Sequence, residues 1–175
     1  GASGELHTKI WKGLEEFEGA GLIDKAKTKM HLAQAEGCAP IVEAFESGNN
    51  QVKPVRPQTI AKSLAIGNPA AGPYSLEVLR DTGGTGVFAY ENSIIDGIRL
   101  LAETEGIFTE TAGGVVISSL KRLVKQGKIK KDEVTVAFVT GNGLKTLEAM
   151  GDFVAPIETK PDLDTFQKKL SNQKD

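Results

Sequence analysis

The chain has 175 residues, with 21 basic and 23 acidic side chains giving a net charge of -2. That balance creates no field that demands nucleic acid or an anionic membrane, and an aromatic content of 6% leaves little for base-stacking platforms. The single cysteine, Cys38, excludes an internal disulfide and fits a reducing, cytoplasmic setting, and no apolar run is long enough to span a bilayer.

Ser3 and Gly4 precede the first periodic segment and read either as a plain helix cap or as an anion site at a helix N-terminus. Ile10, Leu14 and Phe17 then fall at i, i+4 and i+7, one face of a helix that ends near Gly19 and Gly21. Residues 30–36 read as a strand with Met30, Leu32 and Gln34 on one face. Residues 39–45 read as a helix with Pro40 in its first turn, closed by Ser47, Gly48, Asn49 and Asn50. Pro54 and Pro57 bracket an extended link, and a helix is expected over 59–66, stopping at Gly67, Asn68 and Pro69.

Another helix is expected over 74–79 and a strand over 87–90. The intervening Gly83, Gly84, Thr85 and Gly86 lack the lysine of a Walker loop, so a solvent loop is the reading. Ser93 is placed to cap a helix with Asp96 three residues on, and Ile94, Ile95, Ile98 and Leu101 give that helix its apolar face. A glycine turn, 110–114, leads into a helix over 115–126. Residues 134–139 form the clearest strand, apolar almost throughout, as in a strand covered on both faces. The polar segment 160–175 carries one helical stripe, Leu163, Phe166 and Leu170, and frays at its end. Residues 1–157 thus form one α/β unit and 158–175 a polar helix or tail. The alternation of strand and helix implies a mostly parallel sheet flanked by helices.

Ligands of parallel α/β sheets favour the carboxyl ends of strands. Thr140 stands at such an end, followed by Gly141, Asn142 and Gly143, which either bind a ligand or merely turn the chain. Glu36 and Glu110 read as solvated carboxylates, and Lys12, Lys62 and Lys145 as surface lysines. His7, His31 and Cys38 lack zinc-ligand spacing, and no Ser-His-acid order is legible.

Four stretches in order carry a family resemblance: AQAEGCAPIV from Ala33, PQTIAKSLAIGNP from Pro57, ETAGG from Glu110 and TGNGLK from Thr140. Together they resemble the C-terminal part of the threonine synthase family of fold-type II pyridoxal-phosphate enzymes, over nearly the whole chain. The resemblance implies half of that family's large domain. In the complete enzyme it implies conversion of O-phospho-L-homoserine and water to L-threonine and phosphate. It also implies that Thr140 meets the pyridine nitrogen of the cofactor, with Gly141, Asn142 and Gly143 shaping that wall. Ala65, Ile66 and Gly67 match the segment lining the ring, Glu110 an acidic position beside it, and Ser3 and Gly4 a remnant of the phosphate cup. Glu5 departs from the family there, since it brings an anion to a phosphate site. The family's cofactor-binding lysine and substrate loop belong to its N-terminal half, and no lysine here matches that lysine. No catalytic residue is therefore expected in this chain, nor tight cofactor binding or activity by the chain alone. Its partner is expected to be the missing half, or a second copy through an exposed sheet edge. Cysteate synthase, threonine dehydratase and a stand-alone α/β module are the alternatives.

Overall fold

The computed structural model describes residues 1–153 and 158–171. Helix α1 (Glu5–Gly19) leads to strand β1 (Leu32–Ala35), followed by α2 (Pro40–Glu46), α3 (Gly72–Asp81) and strand β2 (Gly86–Ala89). Then come α4 (Ile94–Glu105), α5 (Thr111–Lys125), helical turns over Gly143–Phe153 and α6 (Leu163–Ser171). β1 and β2 pair in parallel, Leu32 opposite Gly86 and Ala35 opposite Ala89.

Period-two alternation sends the two sides of β1 into two cores. Leu32 packs with Ile41, Ala44, Leu76 and Leu79 of α2 and α3. Ala35 packs with Ala61, Ala89, Ile94 and Val115, toward α4 and α5. Gln34, fully buried, faces α2 and accepts hydrogen bonds from the Ile41 and Val42 amides at 3.0 and 3.1 Å. A strand side chain thus satisfies two of the free N–H groups at the start of that helix. The outer edge of β2 is covered by Arg122, which donates to the Phe88 carbonyl at 2.7 Å and lies over the rings of Phe88 and Tyr90.

Four expectations are corrected here, the first being the glycine turn over 110–114: α5 is already helical from Thr111. Residues 59–66 are not a helix: only Lys62–Leu64 makes a 3₁₀ turn. The flanking chain is held extended, because Gln58 N–H donates to Gly37 and Val55 N–H to Gly67. Ser93 does not cap α4: its hydroxyl donates to the Tyr90 carbonyl at 2.7 Å, within a 3₁₀ turn over Glu91–Ser93. Residues 134–139 have no strand partner among the described residues, and Val134, Val136 and Phe138 are exposed. α6 carries its expected stripe, with Leu163, Phe166 and Leu170 all exposed. The fraying expected at the chain end and the boundary expected after residue 157 lie outside the described residues. No described helix is long and apolar enough to cross a membrane.

Between β1 and 134–138 lies an apolar slot of about 770 Å³. Leu6, His7, Ile10 and Leu14 of α1 and Val116, Ser119, Leu120 and Leu123 of α5 are among the residues that line it. His7 is 6% exposed with neither ring nitrogen hydrogen-bonded, and burial pushes it down to about 4 from 6.5. A histidine depressed on folding is neutral in the native state at pH 7, so its contribution is intact above pH 6.5. As pH falls toward about 4, the unfolded chain takes up a proton that the native chain refuses, and stability is lost. Urea midpoints measured between pH 7 and 4 should reveal a loss of up to about 3 kcal/mol from this group. His7→Phe should remove that part of the slope, and a variant with unchanged slope would refute the assignment.

Candidate functional site

The carboxyl ends of both strands open onto one group of loops. β1 ends at Ala35, and the Glu36-Gly37 backbone beyond it is held by Glu91, just past β2. Glu91 accepts from Gly37 N–H at 3.1 Å and from Ile60 N–H at 3.0 Å. Gly37 lies so close to Gln58 that a Cβ there would sit 1.8 Å from the Gln58 carbonyl oxygen. Gly67 is pressed in the same way against Val55. These two approaches hold Ala65, Ile66 and Gly67 at the rim, with Ile66 half exposed beside the Cys38 thiol. Burial, with Glu43 nearby, pushes that thiol up from its ordinary value. Just before this rim, Ala61 and Leu64 pack on Val115 in the first turns of α5.

Residues 140–143 form a second wall at the same helix N-terminus. Glu110 N–H donates to the Gly141 carbonyl at 3.1 Å, Thr109 Oγ1 donates to that oxygen at 2.9 Å, and Gly143 N–H donates to Phe108 at 3.1 Å. Asn142 Oδ1 accepts from Leu144 N–H at 2.9 Å, an Asx turn. Thr140 is exposed, and its hydroxyl makes no hydrogen bond among the described residues. Thr146 Oγ1 accepts from Thr111 N–H at 3.2 Å, supplying a cap that α5 lacks from its own N-cap residue.

Glu110 is buried, 4% exposed, rather than solvated as its sequence context suggested. The reason is Gly141, whose missing side chain leaves the space that the carboxylate fills. Lys145 Nζ lies 3.1 Å from Glu110 Oε2, near enough to balance its charge but out of line for a hydrogen bond. That oxygen and the buried Thr111 hydroxyl therefore have no hydrogen-bond partner at the positive end of α5. Glu36 is exposed as expected, and so are Lys12 and Lys62.

Ser3 and Gly4 stand apart from this pair of walls, at the start of α3. Ala71 N–H donates to the Ser3 carbonyl at 3.0 Å and Ser75 Oγ to the Gly4 carbonyl at 3.3 Å. Gly4 has φ 89° and precedes α1; Glu5, exposed, donates its N–H to Ser3 Oγ at 3.4 Å at the positive end of that helix. The structure thus joins Glu110 directly to 140–143, and joins 65–67 to them through the first turn of α5. Thr109, Thr146 and Glu91 were not legible as site residues, because their partners lie 32, 35 and 54 residues away in sequence.

Residues 1–141 match the family described as pyridoxal-phosphate dependent enzyme. The chain belongs to this family. It is 39% identical over 163 residues to a threonine synthase of Methanocaldococcus jannaschii, covering 92% of this chain and 40% of that one. A threonine synthase of Methanosarcina acetivorans is 37% identical over 146 residues (83% of this chain, 36% of that protein), and one of Mycobacterium bovis 34% over 158 residues (88% and 41%). The chain therefore spans about 40% of the length of these curated relatives. A fungal L-serine ammonia-lyase from Rhizomucor miehei superposes with a TM-score of 0.62 over 87% of this chain and 48% of that one. At 20% identity that likeness establishes the fold.

Pyridoxal phosphate suits the residues present. The exposed Thr140 hydroxyl is free to meet a ring nitrogen, the N-terminal turn of α1 suits a phosphate, and Gly141 and Gly67 keep the backbone close to its supports. Lys145, on the same wall, is engaged with Glu110.

Proposed function

We propose that this chain is the C-terminal part of the cofactor-binding large domain of a threonine synthase, which converts O-phospho-L-homoserine and water to L-threonine and phosphate. The observation that carries this reading is the free Thr140 hydroxyl on a turn fixed by three hydrogen bonds to 108–110. When bound, pyridoxal phosphate supplies an electron sink that stabilises charge as protons leave the substrate carbons.

The chain's own residues bind and orient. Thr140 holds the pyridine nitrogen through a neutral hydroxyl, which leaves that nitrogen less compelled to carry a proton than a carboxylate would. Gly141, Asn142 and Gly143 form the wall around it, with Glu110 wedged behind Gly141 as a positioning residue. Ala65, Ile66 and Gly67 line the ring on the side of β1. Ser3, Gly4 and the start of α1 receive the phosphate. The proton-transferring lysine comes from the remainder of the enzyme, so the isolated chain is inactive and holds no cofactor tightly. A reducing cytoplasm suits the buried, unpaired Cys38 thiol.

The test pairs this chain with the portion of the Methanocaldococcus jannaschii enzyme outside the matched 163 residues. With pyridoxal phosphate, the visible band of the lysine-bound cofactor and phosphate release from O-phospho-L-homoserine should appear only in the mixture. Thr140→Val should weaken both by at least about tenfold, the worth of about 1.4 kcal/mol. A saturable, borohydride-reducible cofactor adduct on the isolated chain would refute the account.

A further inference from the structure

We infer that the Glu110–Lys145 pair governs the charge on the pyridine nitrogen: Lys145 neutralises a carboxylate buried behind the Thr140 turn, and so keeps that nitrogen free of a proton. The inference rests on the proposed function for one thing, the contact between Thr140 and that nitrogen.

Three observations carry it. First, the carboxylate lies against the turn that bears Thr140. A Cβ on Gly141 would stand 1.9 Å from Glu110 Oε1, so the acid fills the side-chain space of the residue after Thr140. Glu110 N–H also donates to the Gly141 carbonyl at 3.1 Å, which fixes the acid to that turn by its backbone as well. Second, little else disperses this charge. Glu110 is the N-cap residue of α5, yet its side chain makes no capping hydrogen bond. The Thr111 amide goes to Thr146 Oγ1 instead, at 3.2 Å, and Glu110 Oε2 is buried with no hydrogen bond. The positive end of α5 favours the anion but carries only about half a unit charge. Third, the compensating cation comes from the same turn. Lys145 N–H donates to the Asn142 carbonyl at 3.2 Å, and its Nζ stops 3.1 Å from Glu110 Oε2. The lysine side chain is 61% exposed and the carboxylate side chain 5%, so the cation reaches inward from solvent to a buried anion.

The electrostatic consequence follows from the types of group involved. Thr140 meets the nitrogen through a neutral hydroxyl, which donates or accepts a hydrogen bond and imposes no charge of its own. The proton on that nitrogen is then decided by the nearest full charges. A lone buried carboxylate acts through a medium of low dielectric and draws a proton onto a neighbouring base. A carboxylate paired with an ammonium presents only a dipole, whose field falls off faster with distance than that of a single charge. Removing Lys145 leaves the anion buried and unpaired. The two residues therefore divide the work: Glu110 supports the turn by its shape, and Lys145 cancels the charge that comes with that shape.

NMR of pyridoxal phosphate isotopically labelled at its ring nitrogen tests this, in the mixture of the full chain with the Methanocaldococcus jannaschii portion. The nitrogen signal is followed as pH is varied. Lys145→Met should raise the pH at which that nitrogen takes up a proton by about one unit, a tenfold gain in proton affinity, and Lys145→Arg should leave it in place. Adding Glu110→Gln to Lys145→Met removes the unpaired charge and should return the midpoint to that of the unaltered chain. Glu110→Gln alone buries no unpaired charge and leaves the lysine unopposed, so it should lower the midpoint. A purely structural pair would make its two losses alike. Shifts in the same direction for Lys145→Met and Glu110→Gln, or no shift in either, therefore overturn the inference. If Lys145→Met does not fold, the direction seen with Glu110→Gln decides, and a raised or unchanged midpoint there overturns it equally. Thr140→Val keeps the two readings apart, since it should alter the nitrogen signal at every pH. An unaltered signal in that variant sinks the functional proposal, whereas an altered one with no shift from Lys145→Met sinks this inference alone.

Discussion

Gly37→Ala should lower the stability of the chain by about 3 kcal/mol or more, the upper range for forcing atoms into a packed site. The added Cβ would stand 1.8 Å from the carbonyl oxygen of Gln58 and 2.6 Å from its carbon. Those are backbone atoms, and Gln58 is itself bonded back to the Gly37 carbonyl at 2.8 Å, so the obstacle cannot swing aside as a side chain would. Either the Gln58 strap lifts off the end of β1, or β1 shifts against β2. Lifting the strap also breaks the Glu91 bonds to Gly37 and Ile60, both made to one carboxylate. Urea titration followed by far-UV circular dichroism measures the effect. Gly13→Ala is the control, since a Cβ there meets nothing within 4 Å in the middle of α1. It should be neutral or stabilising by up to about 1 kcal/mol. Similar midpoints for the two variants would mean that the close approach at Gly37 does not exist.

Gly141→Ala should cost about 2 kcal/mol, and most of that should return when Glu110→Ala is added. A Cβ at 141 would lie 1.9 Å from Glu110 Oε1 and 2.3 Å from its carboxyl carbon. Here the obstacle is a side chain, but one confined by burial and held toward Lys145. Truncating Glu110 removes the atoms in conflict, so the double variant should be more stable than the sum of the singles by about 1–3 kcal/mol. An additive cycle would refute the wedge. In the reconstituted mixture, Gly141→Ala should also weaken the cofactor band, because it displaces the turn that carries Thr140, and the double variant should recover part of it.

Much of this architecture was legible from local pattern. Glycine and proline mark the ends of α2 and α3, and the apolar periodicity of α4 and α5 follows the faces that are buried. The alternation of Met30, Leu32 and Gln34 found the buried side of β1, including a polar residue whose role is to cap α2. What was not legible depends on contacts distant in sequence. The segment 59–66 has helical periodicity, but two glycine backbones bind its neighbours and draw it straight. Glu110 looked like any carboxylate before a helix, because the space it fills is left by a glycine 31 positions later. Residues 134–139 read as a strand covered on both sides, and their composition suits that role, although no partner strand lies beside them among the described residues.

The two margins of the small sheet differ in one respect that sets how far it can grow. Arg122 lies across the outer margin of β2, its guanidinium occupying the Phe88 carbonyl and lying over two aromatic rings. An incoming backbone would have to displace a charge-assisted bond to use that margin. On the opposite margin, along β1, the Gly1 amino group meets the Ala33 carbonyl, without the aromatic rings that pin Arg122. Extension through the sheet is therefore a one-time event, and stacking of copy upon copy, which needs two receptive margins per molecule, has nowhere to continue.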